Sequence, residues 1–342
     1  MATPTPSDPE PGMQYASCTA NDGCTLAFQT SLPVGSGATL DARYASCVLL
    51  LHGFSGSSAY FRRNFGTLAE DHWVVAPDMR GHGNSGRSRG GYHVARLAAD
   101  LHDLITFLRS ARPDNDNSSN SASQNNRGAD EETKLKIVPV GCSIGAAVLW
   151  TYVELFGSSD FAGFIFVDQA PLQDRSAFGD WDSSRAHLSC YDEATTLAAQ
   201  RSWIYDAAST HADLVRSCLG YRYLPDPSTD DISDEAWRLD EEFFVGISRR
   251  CDHVWLAKLL ADHTRYDHRE AIEEIQVPTL VMAGRRTGCF PLEGMKETVR
   301  RVETSRPGGA RMSVYDSGHW LFYEEPERFN REVIEFVDSC TT

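Results

Sequence analysis

Apolar positions along the chain fall into two interleaved patterns. Short β-rich runs at Cys47–Leu51, Trp73–Pro77, Ile137–Val140, Phe161–Val167, Thr279–Gly284 and Arg311–Tyr315 predict strands, several of them apolar throughout, as strands buried on both faces of a parallel sheet must be. Between them lie stretches with helical spacing. Ser58–Asp71 carries Tyr60, Phe61, Phe65 and Leu68, and Tyr92–Arg109 carries Leu97, Leu101, Leu104, Ile105 and Leu108. A helix to about Phe156 follows the Ile137–Val140 strand, another lies near Leu292–Val302, and a last one, about Glu327–Ser339, starts just after Pro326. Gln14–Cys18 and Thr25–Leu32 read as a hairpin around Asn21-Asp22-Gly23.

This alternation predicts an α/β domain with a mostly parallel central sheet flanked by helices. The alternation stops between residues 172 and 275. Helical stretches dominate there, near Glu193–Leu219, Asp234–Arg250 and His253–His263, and read as an inserted helical cap or lid. The expected core is therefore 13–171 plus 276–342. Residues 1–12, Pro-rich and acidic, read as a flexible tail, and 112–133, almost devoid of apolar residues, as a disordered loop.

Composition narrows the partners. The 342 residues carry 32 Lys plus Arg against 48 Asp plus Glu, a net charge of −16. That argues against nucleic acid and against anionic membrane surfaces. No export-signal pattern opens the sequence and no apolar run approaches the ~20 residues that span a bilayer. The nine cysteines are odd in number and include no C-x-x-C pair, so free thiols and a cytoplasmic location are expected.

The chemistry concentrates at strand ends. Strand Ile137–Val140 runs into Gly141-Cys142-Ser143-Ile144-Gly145 and then an Ala-rich helix. G-x-S-x-G between strand and helix makes a sharp turn that exposes a serine hydroxyl at the sheet edge, and the turn needs small residues two before and two after the serine. Cys142 reads as a small turn-filling side chain. In a parallel sheet, ligands bind beyond the strand C-termini, and His52, Asp78, Ser143, Asp168 and His319 all fall there. His52 reads as a residue that orients its loop, Asp78 as a loop anchor and His82 as loop packing.

His52-Gly53-Phe54, the Asp78–Ser85 segment, Gly141–Gly145, and Ser317-Gly318-His319 followed by Glu325-Pro326-Glu327-Arg328-Phe329 occur in the order found in the α/β-hydrolase fold superfamily, which the chain resembles. The lid-bearing esterase, haloperoxidase-like and lactonase-like branches look closest. The resemblance implies Ser143 as nucleophile, His319 as its general base, and backbone N–H groups of Phe54 and Ile144 as an oxyanion hole. One piece departs from the pattern. The family's acid commonly follows the strand that is here Thr279–Gly284, yet Thr287 stands at the expected position, and no carboxylate occurs between Gly284 and Glu293. Asp168, ending the strand next in sequence after the serine, is the best replacement. Asp316, Asp174 and Glu293 are the alternatives, as is a base without an acid.

The cap should set substrate choice. It holds Trp181, Tyr191, Trp203 and Tyr205, the residues expected to bind an apolar or aromatic small molecule. His187, His211, His253 and His263 show no ligand spacing, so no metal is expected, and no G-x-G-x-x-G opens the fold for a dinucleotide, so no cofactor is expected either. The favoured function is hydrolysis of a carboxylic ester or lactone through an acyl-enzyme. C–C bond hydrolysis or acyl transfer on the same fold is the runner-up. A weakly active or inactive ligand-binding receptor on a hydrolase scaffold is a third reading. The sequence leaves the oligomeric state open.

Overall fold

In the computed structural model, residues 9–34, 46–111, 135–189, 192–223 and 233–341 are described. The expected loop at 112–133 lies outside them, as do residues 1–8 of the expected tail. The rest of that tail is anchored: Glu10 is buried and its N–H donates to Gln29 Oε1 at 2.9 Å.

The chain opens with β1 (Gln14–Thr19), β2 (Thr25–Thr30) and β3 (Ser46–Leu51), followed by a 3-10 turn at Ser58–Phe61 and α1 (Phe65–Leu68). The single helix expected over Ser58–Asp71 is thus two short pieces. Asn64 stands at the break, with its side-chain amide donating to Phe322 O and Asn330 Oδ1 rather than capping a helix. Then come β4 (Trp73–Pro77), α2 (Val94–Ser110), β5 (Lys136–Cys142), α3 (Ile144–Phe156) and β6 (Phe164–Val167). Among the described residues, five α-helices and a 3-10 turn at Gly220–Arg222 lie between β6 and β7; the helices are α4 (Glu193–Tyr205), α5 (Ala207–Cys218), α6 (Asp234–Ser248), α7 (His253–Arg265) and α8 (Arg269–Glu273). The chain closes with β7 (Thr279–Gly284), α9 (Leu292–Ser305), β8 (Ala310–Tyr315), α10 (Leu321–Glu324) and α11 (Pro326–Thr341). Among the described residues no helix is long and apolar enough to cross a membrane.

The eight strands form one sheet in the order β1-β2-β4-β3-β5-β6-β7-β8. β1 and β2 pair antiparallel, and β2 also meets β4 antiparallel; from β4 onward every pairing is parallel. Every residue of β3, β4, β6 and β7 is buried. That is why these segments read as unbroken apolar runs: helices cover both faces and leave no polar side.

Register is what builds the site. Cys142 at the end of β5 pairs with Val167 at the end of β6, and Val167 with Met282 on β7. Gly284, ending β7, pairs with Tyr315, ending β8. The residues that follow these ends, Ser143, Asp168 and the loop to His319, therefore emerge side by side on one edge.

Candidate active site

Ser143 sits between β5 and α3 with φ +54° and ψ −122°, a left-handed conformation that costs a non-glycine residue of order 1–3 kcal/mol. The surrounding structure holds it there by close backbone approach. A Cβ at Gly141 would lie 2.7 Å from the nitrogen of Ala146, and one at Gly145 would lie 2.6 Å from the carbonyl oxygen of Leu51. Both glycines demanded by the turn are thus explained by contacts with named atoms. The Ser143 hydroxyl has a long hydrogen bond, 3.4 Å, to Gln169 Oε1, while the Gln169 amide donates to Ala170 O. Cys142 is fully buried beneath the turn, and burial raises its thiol well above the ordinary range, as suits a filler rather than a nucleophile.

Asp168 also has a positive φ, +47°. Its Oδ1 accepts the Gly284 N–H at 3.0 Å and its Oδ2 lies 2.6 Å from His319 Nδ1. The carboxylate is wholly buried and fully used: one oxygen ties it to the end of β7, the other fixes the imidazole. Burial raises its pKa, and the His319 bond opposes that shift. In the neutral ring, an Nδ1–H given to Asp168 leaves the Nε2 lone pair for the cavity. Burial also works against a charged His319 ring. The negative character of Cys289 and the Asp168 bond outweigh it and push the ring up to about 10. Cys289 is in turn pushed well below the ordinary thiol range, by the Cys218 hydrogen bond against its burial and then by the His319 charge, so the two groups favour each other's charged forms.

The alternative acids are elsewhere. Asp316 is exposed and pairs with Arg285 at 3.8 Å. Glu293 is exposed and holds Lys296, and Asp174 bonds only its neighbour's N–H among the described contacts. Thr287, at the usual acid position, closes its own turn by accepting the Cys289 N–H.

The loop after β3 lies against the serine. A Cβ on Gly53 would stand 3.4 Å from the Ser143 Cβ, so the Gly53–Phe54 backbone passes directly over the elbow. His52 shapes this loop. Its Nδ1–H donates to Gly53 O at 2.8 Å and its Nε2 accepts the Met79 N–H at 2.9 Å. Complete burial lowers its pKa to about 4, so the ring is neutral and structural. Ser55, at φ +60°, hydrogen-bonds Ser248 of α6, whose hydroxyl also meets His211 Nδ1 of α5 at 2.5 Å. The oxyanion-side loop is thereby tied to two helices of the insertion. Asp78 accepts N–H groups from Ser58 and Asn84, and His82 bonds the Arg80 carbonyl.

Ser143 and His319 line one narrow cavity of about 50 Å³, together with Gly53, Phe54, Leu214, Leu260, Phe290 and Trp320. Gln173, His187 and His263 supply its polar wall. It adjoins an outer space of about 280 Å³ between the insertion and the core, and shares Phe54, His187, Leu214, Leu260 and Cys289 with it. The expected substrate contacts are only partly there. Trp203 lines the outer space, with its ring 5.6 Å from that of Phe54. Trp181 is a buried packing residue: its indole N–H bonds Leu172 O and its ring lies beside Arg269, away from both spaces. Tyr205 is 78% exposed, at the end of α4, and touches neither. Tyr191 lies outside the described residues.

Sequence reasoning missed Gln173, His187, His263, Cys218 and Cys289. Each lies in an irregular or helical stretch whose spacing carries no motif, and only the packing of the insertion onto the sheet edge gathers them. The Gln173 amide nitrogen meets His263 Nε2 at 2.6 Å, and the buried Nδ1 of His263 has no partner among the described residues. Cys218 Sγ and Cys289 Sγ stand 3.9 Å apart in a thiol hydrogen bond with no disulfide, and Cys289 also contacts the side chains of His187 and His319.

The chain is similar to known proteins in sequence and in fold. A family model described as "Alpha/beta hydrolase family" matches residues 48–332. An uncharacterized protein of Mycobacterium tuberculosis is 38% identical over 299 residues, covering 85% of this chain and 75% of that protein. Among solved structures, an esterase from Exiguobacterium antarcticum superposes with a TM-score of 0.71 at 19% identity, covering 94% of this chain and 99% of its own. The enol-lactonase from Burkholderia xenovorans LB400 gives 0.66 at 15% identity, covering 94% and 100%. A parallel sheet with a strained serine after its central strand, a histidine after its last, and a family match across most of the chain lead to one conclusion: this chain belongs to the alpha/beta hydrolase family and is a hydrolase enzyme.

Proposed function

We propose that the chain is a serine hydrolase that cleaves a carboxylic ester or lactone of a small molecule through an acyl-enzyme. The observation that carries this reading is the 2.6 Å contact between Asp168 Oδ2 and His319 Nδ1, with His319 and Ser143 on the wall of the same cavity. Asp168 holds the imidazole in the tautomer that leaves Nε2 unprotonated, and stabilises the imidazolium once it forms. His319 takes the Ser143 proton as the oxygen attacks the substrate carbonyl, then returns it to the leaving alkoxide. The backbone N–H groups of Phe54 and Ile144 receive the tetrahedral oxyanion; loss of one such donor typically costs ~10²–10³ in rate. Water then attacks the acyl-enzyme by the same route. A lactone yields both functional groups on one product.

The cavity wall favours a compact acyl group. Phe54, Leu214, Leu260, Phe290 and Trp320 accept apolar surface, and Gln173, His187 and His263 can bind a polar substituent. Residues 172–275 act as the lid above it. Within the apolar or aromatic class expected from lid composition, an apolar substrate bearing one polar group fits this wall. The neighbours described as an esterase and an enol-lactonase support the reaction class at the level of shared fold. The 2.6 Å approach of Asp168 to His319 supports this reading over the receptor reading, whose motive is the missing carboxylate after β7. The test is labelling with a fluorophosphonate: stoichiometric modification at Ser143, abolished in Ser143→Ala, is expected. Folded protein that resists the reagent would sink the proposal.

A further inference from the structure

We propose that Cys218, Cys289 and His319 form a binding site for a thiophilic divalent cation, zinc above all, and that occupancy of this site switches the hydrolase off. Among the described residues these three bring one ligand atom each to within 4.8 Å of one another, and all three are buried. No motif marks it, because the ligands come from three distant places: the end of α5, the loop after β7 and the loop after β8.

The spacing suits the chemistry. Two thiolates at ~2.3 Å from a tetrahedral zinc stand about 3.8 Å apart, and the two sulfurs here are 3.9 Å apart. The backbones that carry them are already fixed. Gly288 N–H donates to Ser217 O at 3.1 Å and His319 N–H to Cys218 O at 2.8 Å, which leaves only small side-chain movements for closure. Metal-bound histidine usually donates its second ring nitrogen to a carboxylate, which orients the ring and raises its basicity. Asp168 does that for His319 Nδ1. The fourth position opens on the cavity, where His187 or water can complete the tetrahedron. Two sulfurs and one imidazole select zinc or cadmium over magnesium or calcium.

Binding releases two protons to solvent, one from Cys218 and one held by the Cys289–His319 pair, and places the metal on two thiolates and the His319 Nε2 lone pair. That lone pair is the one that must accept the Ser143 proton, so metal and catalysis exclude each other. The inhibitory half of the inference rests on the proposed serine mechanism; the binding half does not.

The test uses the full chain, reduced with a phosphine and titrated with Co²⁺ as a spectroscopic substitute for Zn²⁺. One cobalt per chain, with intense sulfur-to-metal charge transfer in the near ultraviolet and strong visible bands of tetrahedral cobalt, is expected, and Zn²⁺ should bleach both. Cys218→Ser and Cys289→Ser should each weaken binding more than tenfold. One equivalent of Zn²⁺ should slow fluorophosphonate labelling of Ser143 at least tenfold, with recovery on chelation. A wild-type spectrum without sulfur charge transfer overturns the site however the variants behave, and so does oxidation to a Cys218–Cys289 disulfide that persists under the phosphine. If the cobalt spectrum appears but metal-free protein never labels, the metal site stands and the serine mechanism fails. If metal-free protein labels and zinc binding leaves the labelling rate unchanged, the switch is refuted and the hydrolase remains.

Discussion

Two helices beside the site are built by opposite rules. α3, which follows Ser143, is buried at ten of its thirteen positions, whereas α4, in the insertion, is buried at two of thirteen, Thr196 and Trp203. In α3 almost every side chain has a neighbour it must fit, so the backbone that presents Ser143 can hardly shift without disturbing the core. In α4 a single aromatic, Trp203, reaches the space above the site, and the other side chains mainly solvate the surface. The first arrangement suits the nucleophile proposed for Ser143, which must be placed to a fraction of an ångström. The second suits the proposed lid, whose outer surface is free to change.

The comparison breaks most visibly at the sheet edge. Ser143→Ala should lower kcat for a short-chain p-nitrophenyl ester by about 10⁴–10⁶-fold with little change in Tm, as expected when a nucleophile acts as one unit with its base. Asp168→Asn should cost about 10⁴-fold in kcat, because an amide can stabilise the wrong imidazole tautomer. A drop of less than tenfold would mean that Asp168 only fastens β6 to β7. Gly145→Ala comes next. Its methyl would meet Leu51 O at 2.6 Å and His52 O at 3.1 Å, so the turn must open. A loss of about 1–3 kcal/mol in urea unfolding is expected, together with a roughly 10²-fold fall in kcat from the displaced hydroxyl.

Acid should weaken the fold through buried histidines on the core side and in the insertion alike, since burial lowers His211 to about 4 and His268 to about 3 as it lowers His52. His52 is neutral in the folded chain, with its pKa lowered to about 4 by burial, and an unfolded histidine titrates near 6.5. Between these values the unfolded chain holds a proton that the folded chain lacks, so stability falls as pH drops from about 6.5 to 4, and is fully present above 6.5. One such group is worth about 3 kcal/mol at the acid end, and His82, lowered to about 3 by burial, adds in the same direction. Urea unfolding at pH 7 and pH 4.5 should reveal a loss of this order, reduced in His52→Gln; equal stability at the two pH values would contradict it. The smallest effects belong to the insertion. Trp203→Ala should raise KM several-fold with kcat within threefold, and Tyr205→Ala should change neither, which steady-state kinetics on one ester will show.

Much of the site was legible because local chemistry demanded it. Gly141 and Gly145 mark the elbow through contacts that no side chain tolerates, and the strand ends carry Ser143, Asp168 and His319 in chain order. The missing carboxylate after Gly284 was equally readable, and it directed attention to Asp168. The aromatic residues of the insertion misled, because an aromatic side chain reads the same whether it packs, as Trp181 does, lines a space, as Trp203 does, or faces water, as Tyr205 does.

By itself, then, the sequence determined the eight strands, the sheet class, the strained serine turn and the candidates for its partners, since periodicity and turn chemistry are properties of neighbouring residues. Only the tertiary structure decided that the Asp168 carboxylate reaches His319 at 2.6 Å, that Gln173, His187 and His263 face the serine, and that two cysteines from remote segments meet the same imidazole. Those pairings depend on sheet register and on how the insertion packs across the strand ends. Both are long-range outcomes of burying apolar surface, and they leave no spacing in the chain to be read.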